Sequence, residues 1–179
     1  SADTPLTLWP PGAEWRSLTG LISRGLSSFP VSRLSFLAQD PRLVVVPLDA
    51  TQAKQLGARI YKIAPDPFKF QEAVLVGTTE NYYGECKFQI DMSTPQYVRM
   101  DRSLFRGLIG KFNPSRGDLV LSKTGEVLGV MVNNDYCAVL NRITPAATVQ
   151  LGDSLRAQQT SQLLSQLQGR VLTLPMKLQ

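Results

Sequence analysis

Few side chains in this sequence of 179 residues have the chemistry of a catalyst or a metal ligand. Histidine is absent, which excludes Ser-His-Asp and Cys-His nucleophile activation and histidine-ligated metals within these residues. Two cysteines, Cys86 and Cys137, are too few for a four-thiolate metal site, so neither a metal nor another cofactor is predicted. Ser115 is flanked by Lys111 and Lys123, either of which could act as the base that a serine nucleophile requires.

The segment around this serine carries a resemblance to a known family. Residues 113–132 read Asn-Pro-Ser-Arg-Gly-Asp-Leu-Val-Leu-Ser-Lys-Thr-Gly-Glu-Val-Leu-Gly-Val-Met-Val. They resemble the nucleophile region of trypsin-like serine peptidases, which in bacterial members runs G-N-S-G-G-P-L-V, a short turn, and then G-E-V-I-G-I. Ser115 matches the nucleophile, Gly117 matches a following glycine, and Gly125–Val130 matches the returning strand. Upstream, Asp40 and the apolar run after it resemble the strand whose aspartate orients the family's histidine.

Departures from the family's pattern imply that this chain is not catalytic. No histidine precedes Asp40. Asn113 stands where the family has the glycine whose N–H completes the oxyanion hole, and Pro114 restricts the backbone of Asn113. Arg116 replaces a glycine and would crowd the site. The resemblance therefore implies a pseudo-peptidase in which Asp40 and Ser115 are degenerate catalytic positions.

Peptide binding can be retained after catalytic activity is lost, because strand addition requires only free backbone N–H and C=O groups. In the family, substrate peptides pair with the edge strand that follows the returning strand, and the matching positions here come directly after Met131. The turn around the serine would line the remnant cleft. The predicted peptide-binding residues are Asn113, Ser115, Arg116, Val132, Asn133 and Asn134.

Two other functions stay open from the sequence. The chain could be an active serine peptidase whose histidine lies on a segment outside this sequence, or whose base is a lysine. It could also be a purely structural β-barrel domain, with its cleft filled by Arg116 and neighbouring side chains.

The net charge of +5 is spread along the chain, which indicates a solvated cationic surface. Specific nucleic-acid binding is therefore not expected. The partner that the resemblance implies is a peptide or protein.

Short β-type runs, among them Leu119–Leu121 and Tyr136–Leu140, follow one another along the second half of the chain, as in a barrel or sandwich. Turn residues such as Lys123-Thr-Gly125 separate them. With the resemblance, they predict an all-β, trypsin-like double β-barrel, truncated at its N-terminus and followed by a C-terminal α-helix. Ala13–Leu26 fits either one amphipathic helix or two short strands. The predicted divisions are residues 1–66 as an abbreviated first lobe, 67–150 as the second barrel, and 151–179 as the helix and an extended tail.

Two helices are predicted from capping residues. Asp49 can cap a short helix over Thr51–Leu56 that ends at Gly57. Asp153 can cap the C-terminal helix, with Gly169 as its stop and an extended piece after it.

The expected state of the two cysteines depends on the compartment in which the protein resides. Cys86 and Cys137 both fall on predicted strands, where they could pack as two small apolar residues. If the protein is exported, as many bacterial trypsin-like proteins are, a disulfide between them becomes plausible. No apolar run approaches the length of a membrane span.

Overall fold

The computed structural model describes residues 14–77, 83–90, 92–102, 113–153, 155 and 159–179. Strands are the predominant secondary structure among these residues, which confirms the predicted all-β class, and the predicted C-terminal helix is present. The elements are β1 (Leu21–Arg24), β2 (Ser27–Pro30), β3 (Arg33–Leu37), β4 (Val44–Val45), α1 (Ala50–Gln55), β5 (Glu72–Val76), β6 (Tyr83–Ile90), β7 (Tyr97–Arg102), β8 (Leu119–Leu121), β9 (Val127–Met131), β10 (Tyr136–Val139), β11 (Pro145–Gln150) and α2 (Thr160–Leu172), with 3₁₀ turns at Pro67–Lys69 and Met176–Leu178.

Six antiparallel strands close into a barrel in the order β10-β7-β6-β5-β8-β9. Alternate residues point inward, since side chains on a strand change face at every residue. Ala73 and Leu75 on β5 and Val98 and Met100 on β7 are buried in this way, and they belong to one apolar core cluster. Closure leaves each of these strands hydrogen-bonded to a neighbour on both sides. The barrel is therefore stabilised by hydrogen bonds between its strands as well as by packing of its interior.

Gly129 marks the tightest approach within the barrel wall. It lies on β9 opposite Val139 of β10. A Cβ atom at this position would come closer than 3.0 Å to the backbone oxygen of Ala138 and to Sγ of Cys137. The absence of a side chain at Gly129 is therefore what allows these two strands and the Cys137 thiol to share this space.

The described residues up to Arg59 form a second compact unit together with Pro145–Leu174. Its strands make a β1–β2 hairpin and an antiparallel sheet in the order β11-β3-β4. Within the described ranges these sheets are open, and the six-stranded barrel is the one closed sheet found there. The units differ from the predicted divisions at 66 and 150. The reason is pairing: β11 pairs with β3, and Ile63 forms a β-bridge with Val127 of the barrel.

Local chemistry explains α1 and the β1–β2 hairpin. Asp49 caps α1 in a capping box with Gln52, and Gly57 after the helix has a φ of +59°, as predicted for its end. Among its described residues, Ala13–Leu26 contains one strand, β1, in place of the helix or the two strands left open, and β1 ends at the turn containing Gly25, whose φ is +58°.

The prediction for α2 is wrong at both ends. The helix begins at Thr160 instead of after Asp153, and it continues through Gly169 to Leu172 instead of becoming extended. A glycine inside a helix costs only about 1 kcal/mol relative to alanine. The residues after Gly169 are compatible with a helix, and Arg170 donates a hydrogen bond to the carbonyl of Ala38 at 2.9 Å.

No helix among the described residues is both long enough and apolar enough to cross a membrane.

Candidate functional site

Ser115 opens a tight turn that leads into β8. The carbonyl of Ser115 accepts a hydrogen bond from Asp118 N–H at 3.1 Å, which closes a four-residue β-turn. Gly117 occupies the third position with a φ of +92°, a conformation that glycine adopts without strain. Gly117 N–H and the Asp118 carbonyl then pair with Met131 at 2.8 and 2.9 Å, so the turn is fixed to β9.

The backbone N–H of Ser115 donates to Oδ2 of Asp118 at 2.9 Å. Asp118 is 1% exposed and Ser115 is half-buried, so this hydrogen bond is partly shielded from water. In the resembling peptidases, the matching N–H is one of the two donors of the oxyanion hole. Here the donor is already engaged, and the acceptor beside it is an acidic group that opposes a second negative charge.

Sequence reasoning missed Asp118 as part of this site. The sequence did contain a signal for it. Asp118 is an acidic residue directly before a buried strand, at the position where the motif of trypsin-like peptidases has a proline. The Arg116-Gly117-Asp118 tripeptide also spells an integrin-binding motif. Because the aspartate is buried while Arg116 is exposed, the pair cannot be presented together to a receptor.

No hydrogen bond joins the Ser115 hydroxyl to any described residue. Lys123 lies in the turn after β8, at the other end of that strand from Ser115, and is exposed. Its ammonium group pairs with the carboxylate of Glu72 and lies 3.9 Å from that of Glu85. The other proposed base, Lys111, lies outside the described residues. Of the two proposed bases, the one that the structure describes, Lys123, is therefore not placed beside Ser115.

Asp40, which the resemblance implies as the other degenerate catalytic position, is fully buried in the N-terminal unit. Its carboxylate accepts from Arg42 Nη2 at 2.6 Å, from Nε at 3.0 and 3.2 Å, and from the backbone N–H of Arg42 at 2.8 Å. The carbonyl of Asp40 accepts from Leu43 N–H at 3.0 Å and closes the turn between β3 and β4. The Asp40 carboxylate, which the resemblance would pair with a histidine, is therefore bound by the guanidinium of Arg42.

The expected edge strand after Met131 is wrong, because those residues form the turn of the β9–β10 hairpin. Val132 is buried, and its N–H donates to the carbonyl of Tyr136 at 2.9 Å. Asn133 Oδ1 accepts from the N–H groups of Asp135 at 3.0 Å and Tyr136 at 2.8 Å. Asn134 is exposed at the turn. The Val132 N–H is therefore not available for strand addition.

The same turn holds a different peptide segment. Residues Pro175–Gln179, here called the tail segment, group with the barrel, whereas α2 groups with the N-terminal unit. Asn133 Nδ2 donates to the carbonyl of Lys177 at 3.1 Å. Lys177 Nζ lies 3.2 Å from Ser93 Oγ and 5.5 Å from the centre of the Tyr136 ring.

Of the remaining predicted site residues, Asn113 and Arg116 are exposed on either side of Ser115, which is half-buried. The structure thus brings Asn113, Ser115 and Arg116 together in one turn. Val132, Asn133 and Asn134 lie together in another. Among the described residues, no group of three or more cysteine, aspartate or glutamate side chains is arranged to hold a metal ion.

Both cysteines are buried free thiols in the barrel core, so the described structure contains no disulfide between them. Burial raises the pKa of Cys86 to about 12. Burial, together with the nearby Cys86, also raises the pKa of the Cys137 thiol well above its usual range. Both groups are neutral at physiological pH, which suits packing more than chemistry.

We expect both thiols to be unreactive toward the disulfide reagent DTNB in the folded protein. With a pKa of about 12, on the order of one Cys86 side chain in 10,000 is a thiolate near pH 8. Both thiols should react at once in concentrated guanidinium chloride. Rapid labelling of either cysteine in the native protein, assigned with the Cys86→Ser and Cys137→Ser variants, would contradict this burial.

Comparisons with protein-family models, with curated proteins and with solved structures find no match for this chain.

Proposed function

We propose that this chain is a non-catalytic module, similar to trypsin-like peptidases, that binds a peptide or protein partner. In this proposal the closed barrel corresponds to the second lobe of a double barrel, and the N-terminal unit to an abbreviated first lobe. The observation that carries the proposal is the hydrogen bond from Ser115 N–H to the buried carboxylate of Asp118.

That hydrogen bond matters because acyl transfer depends on free N–H donors aimed at the developing oxyanion. Loss of one such donor typically lowers kcat about 100- to 1,000-fold. In this chain the donor at Ser115 is engaged, and the group that engages it is acidic. The sequence also lacks any histidine to remove the proton from the serine hydroxyl. Both deficits would have to be repaired before Ser115 could act as a nucleophile.

The binding half of the proposal is supported by Asn133. Its side-chain amide donates to a backbone carbonyl of the tail segment, a contact that does not depend on the side chain of the bound residue. Asn133 is also one of the residues expected from the sequence to bind peptides. The contributions of Asn113, Ser115 and Arg116 to a peptide site stay predictions.

A fluorophosphonate probe tests the non-catalytic assignment directly, because it labels only activated serine hydroxyls. We expect no labelling of the wild-type chain under conditions that fully label an active trypsin. Ser115→Ala is the matched variant, and Ser122→Ala is the control at a second serine of the same hairpin region. Labelling of the wild type that disappears only in Ser115→Ala would overturn the proposal.

A peptide array probed with the folded, unlabelled protein then tests the binding half. Binding to a subset of peptides is the expected result. A chain that neither labels nor binds any peptide would instead be a structural barrel domain.

A further inference from the structure

The tail segment is seated on the barrel through contacts of several kinds. Leu178 is fully buried, and Met176 two residues earlier is 88% exposed. Between them, the Lys177 carbonyl accepts from Asn133, while its ammonium group contacts Ser93 and the Tyr136 ring. The segment thus has an apolar anchor, a cationic contact and a backbone contact within three residues.

The receiving surface is built independently of the tail segment. Ser93 lies in the turn before β7, and Asn133 and Tyr136 lie at the β9–β10 hairpin. The conformation of Asn133 is set by its own turn, because its Oδ1 accepts from two backbone N–H groups of that turn. Its Nδ2 therefore points outward as a donor that any suitably placed backbone carbonyl can use.

We propose that this surface of Ser93, Asn133 and Tyr136 is a peptide-docking surface occupied within the molecule by the tail segment. Its external partner is a peptide in which a lysine is followed by a leucine or a similar apolar residue. The tail segment then acts as a tethered competitor that must leave before the partner binds. This inference rests on the proposed binding function and names the partner chemistry and the regulation.

Tethering gives the competition its strength. The tail segment and the receiving surface belong to one chain, so the tail binds intramolecularly and its effective concentration at the surface is high. The apparent Kd for an external peptide rises as the fraction of open molecules falls. If nine molecules in ten have the tail segment seated, the apparent affinity for the partner falls about 10-fold.

The test uses the full chain and a fluorescent peptide with the sequence of residues 173–179, Thr-Leu-Pro-Met-Lys-Leu-Gln. The Leu178→Ala chain removes the buried anchor from the tethered copy and should bind the added peptide at least about 10-fold more tightly than wild type. Met176→Ala is the matched control, because Met176 is exposed, and this chain should bind as weakly as wild type. Fluorescence anisotropy gives the affinities, and circular dichroism verifies folding.

Two additional variants keep the test decisive. If Leu178→Ala does not fold, Lys177→Ala weakens the tethered copy through its Ser93 and Tyr136 contacts and should also raise binding of the wild-type peptide. Adding Asn133→Ala to the releasing variant should reduce its binding several-fold. Equal binding by wild type and the releasing variant, or no binding by a folded releasing variant, would overturn the proposal.

Failure here is distinguishable from failure of the proposed function. Labelling of Ser115 by the fluorophosphonate probe would remove the non-catalytic assignment without affecting the anisotropy comparison. Conversely, a chain that binds array peptides but never the tail peptide retains the proposed function and loses this inference.

Discussion

Arg42→Met is expected to destabilise the protein by about 3–5 kcal/mol, the usual cost of leaving a buried charge without its partner. The side chain of Asp40 is 0% exposed and that of Arg42 is 10% exposed, so solvent screens their ion pair very little. Methionine retains much of the length of the arginine side chain but none of the side-chain N–H donors. Urea denaturation followed by circular dichroism gives the free energy of unfolding that tests this.

A second ion pair supplies the matched control. Lys123 and Glu72 also pair, but their side chains are 44% and 60% exposed. Lys123→Met should therefore cost less than about 1 kcal/mol. A double replacement of Asp40 and Arg42 by leucine should recover part of the loss, because no charge is then left buried. An Arg42→Met protein as stable as Lys123→Met would show that the buried pair does not hold the β3–β4 turn.

Gly129→Ala should lower the free energy of unfolding by about 3 kcal/mol, at the upper end of the cost of overpacking. The added methyl group meets the Ala138 backbone and the Cys137 thiol. A flexible side chain could turn aside, but a backbone oxygen can move only if the strand moves with it. Because β9 and β10 are paired in a closed barrel, such a shift disturbs the ladder on both sides. Thermal unfolding measured by calorimetry should report the loss.

Gly169→Ala is the contrasting substitution. Nothing lies within 4 Å of the Cβ that alanine would add, and Gly169 is inside α2. Alanine there should raise stability by about 1 kcal/mol through its higher helix propensity. The two glycine variants should therefore shift the unfolding temperature in opposite directions. A stabilised or unchanged Gly129→Ala protein would contradict the close approach described for the barrel wall.

Much of the barrel could be predicted from the sequence, because its strands are short apolar or alternating runs bounded by clear turn residues. The run Leu119–Leu121 is β8 as predicted, and Lys123 to Gly125 forms the predicted turn after it. Tyr136–Val139 likewise matches the predicted strand to within one residue. Local signals sufficed for these elements, since β8 and β10 each pair with β9 across a short turn.

The last strand of the N-terminal unit lacked such signals. In β11 only Val149 is buried, so there is no alternation of apolar and polar residues to find. Its pairing with β3 involves residues far apart in the chain, such as Ser35 and Thr148, whose hydroxyls lie 3.1 Å apart. The assignment of residues 145–150 to the barrel followed from their position in the chain. Pairing over such a distance cannot be inferred from local pattern.

The candidate site was predictable in its backbone positions but not in its hydrogen bonds. Sequence reasoning found the turn at Ser115 and the segment after Met131. It could not foresee that Asp118 and Asn133 would use their side chains to bind backbone N–H groups nearby. Such side-chain-to-backbone bonds compete with strand pairing and depend on geometry that a linear motif does not contain. In both segments they decide whether the backbone is free to bind anything else.

The split of the N-terminal unit across the chain has a consequence for how the protein emerges from the ribosome. Ser35 on β3 and its partner Thr148 on β11 are 113 residues apart. At translation rates of roughly 5–20 residues per second, β3 waits roughly 6–23 seconds for that partner. Nearly all of the barrel is synthesised during this interval as one continuous stretch, and it can close first. For that time one edge of β3 is exposed, so the nascent chain is most prone to aggregation before its last strand appears.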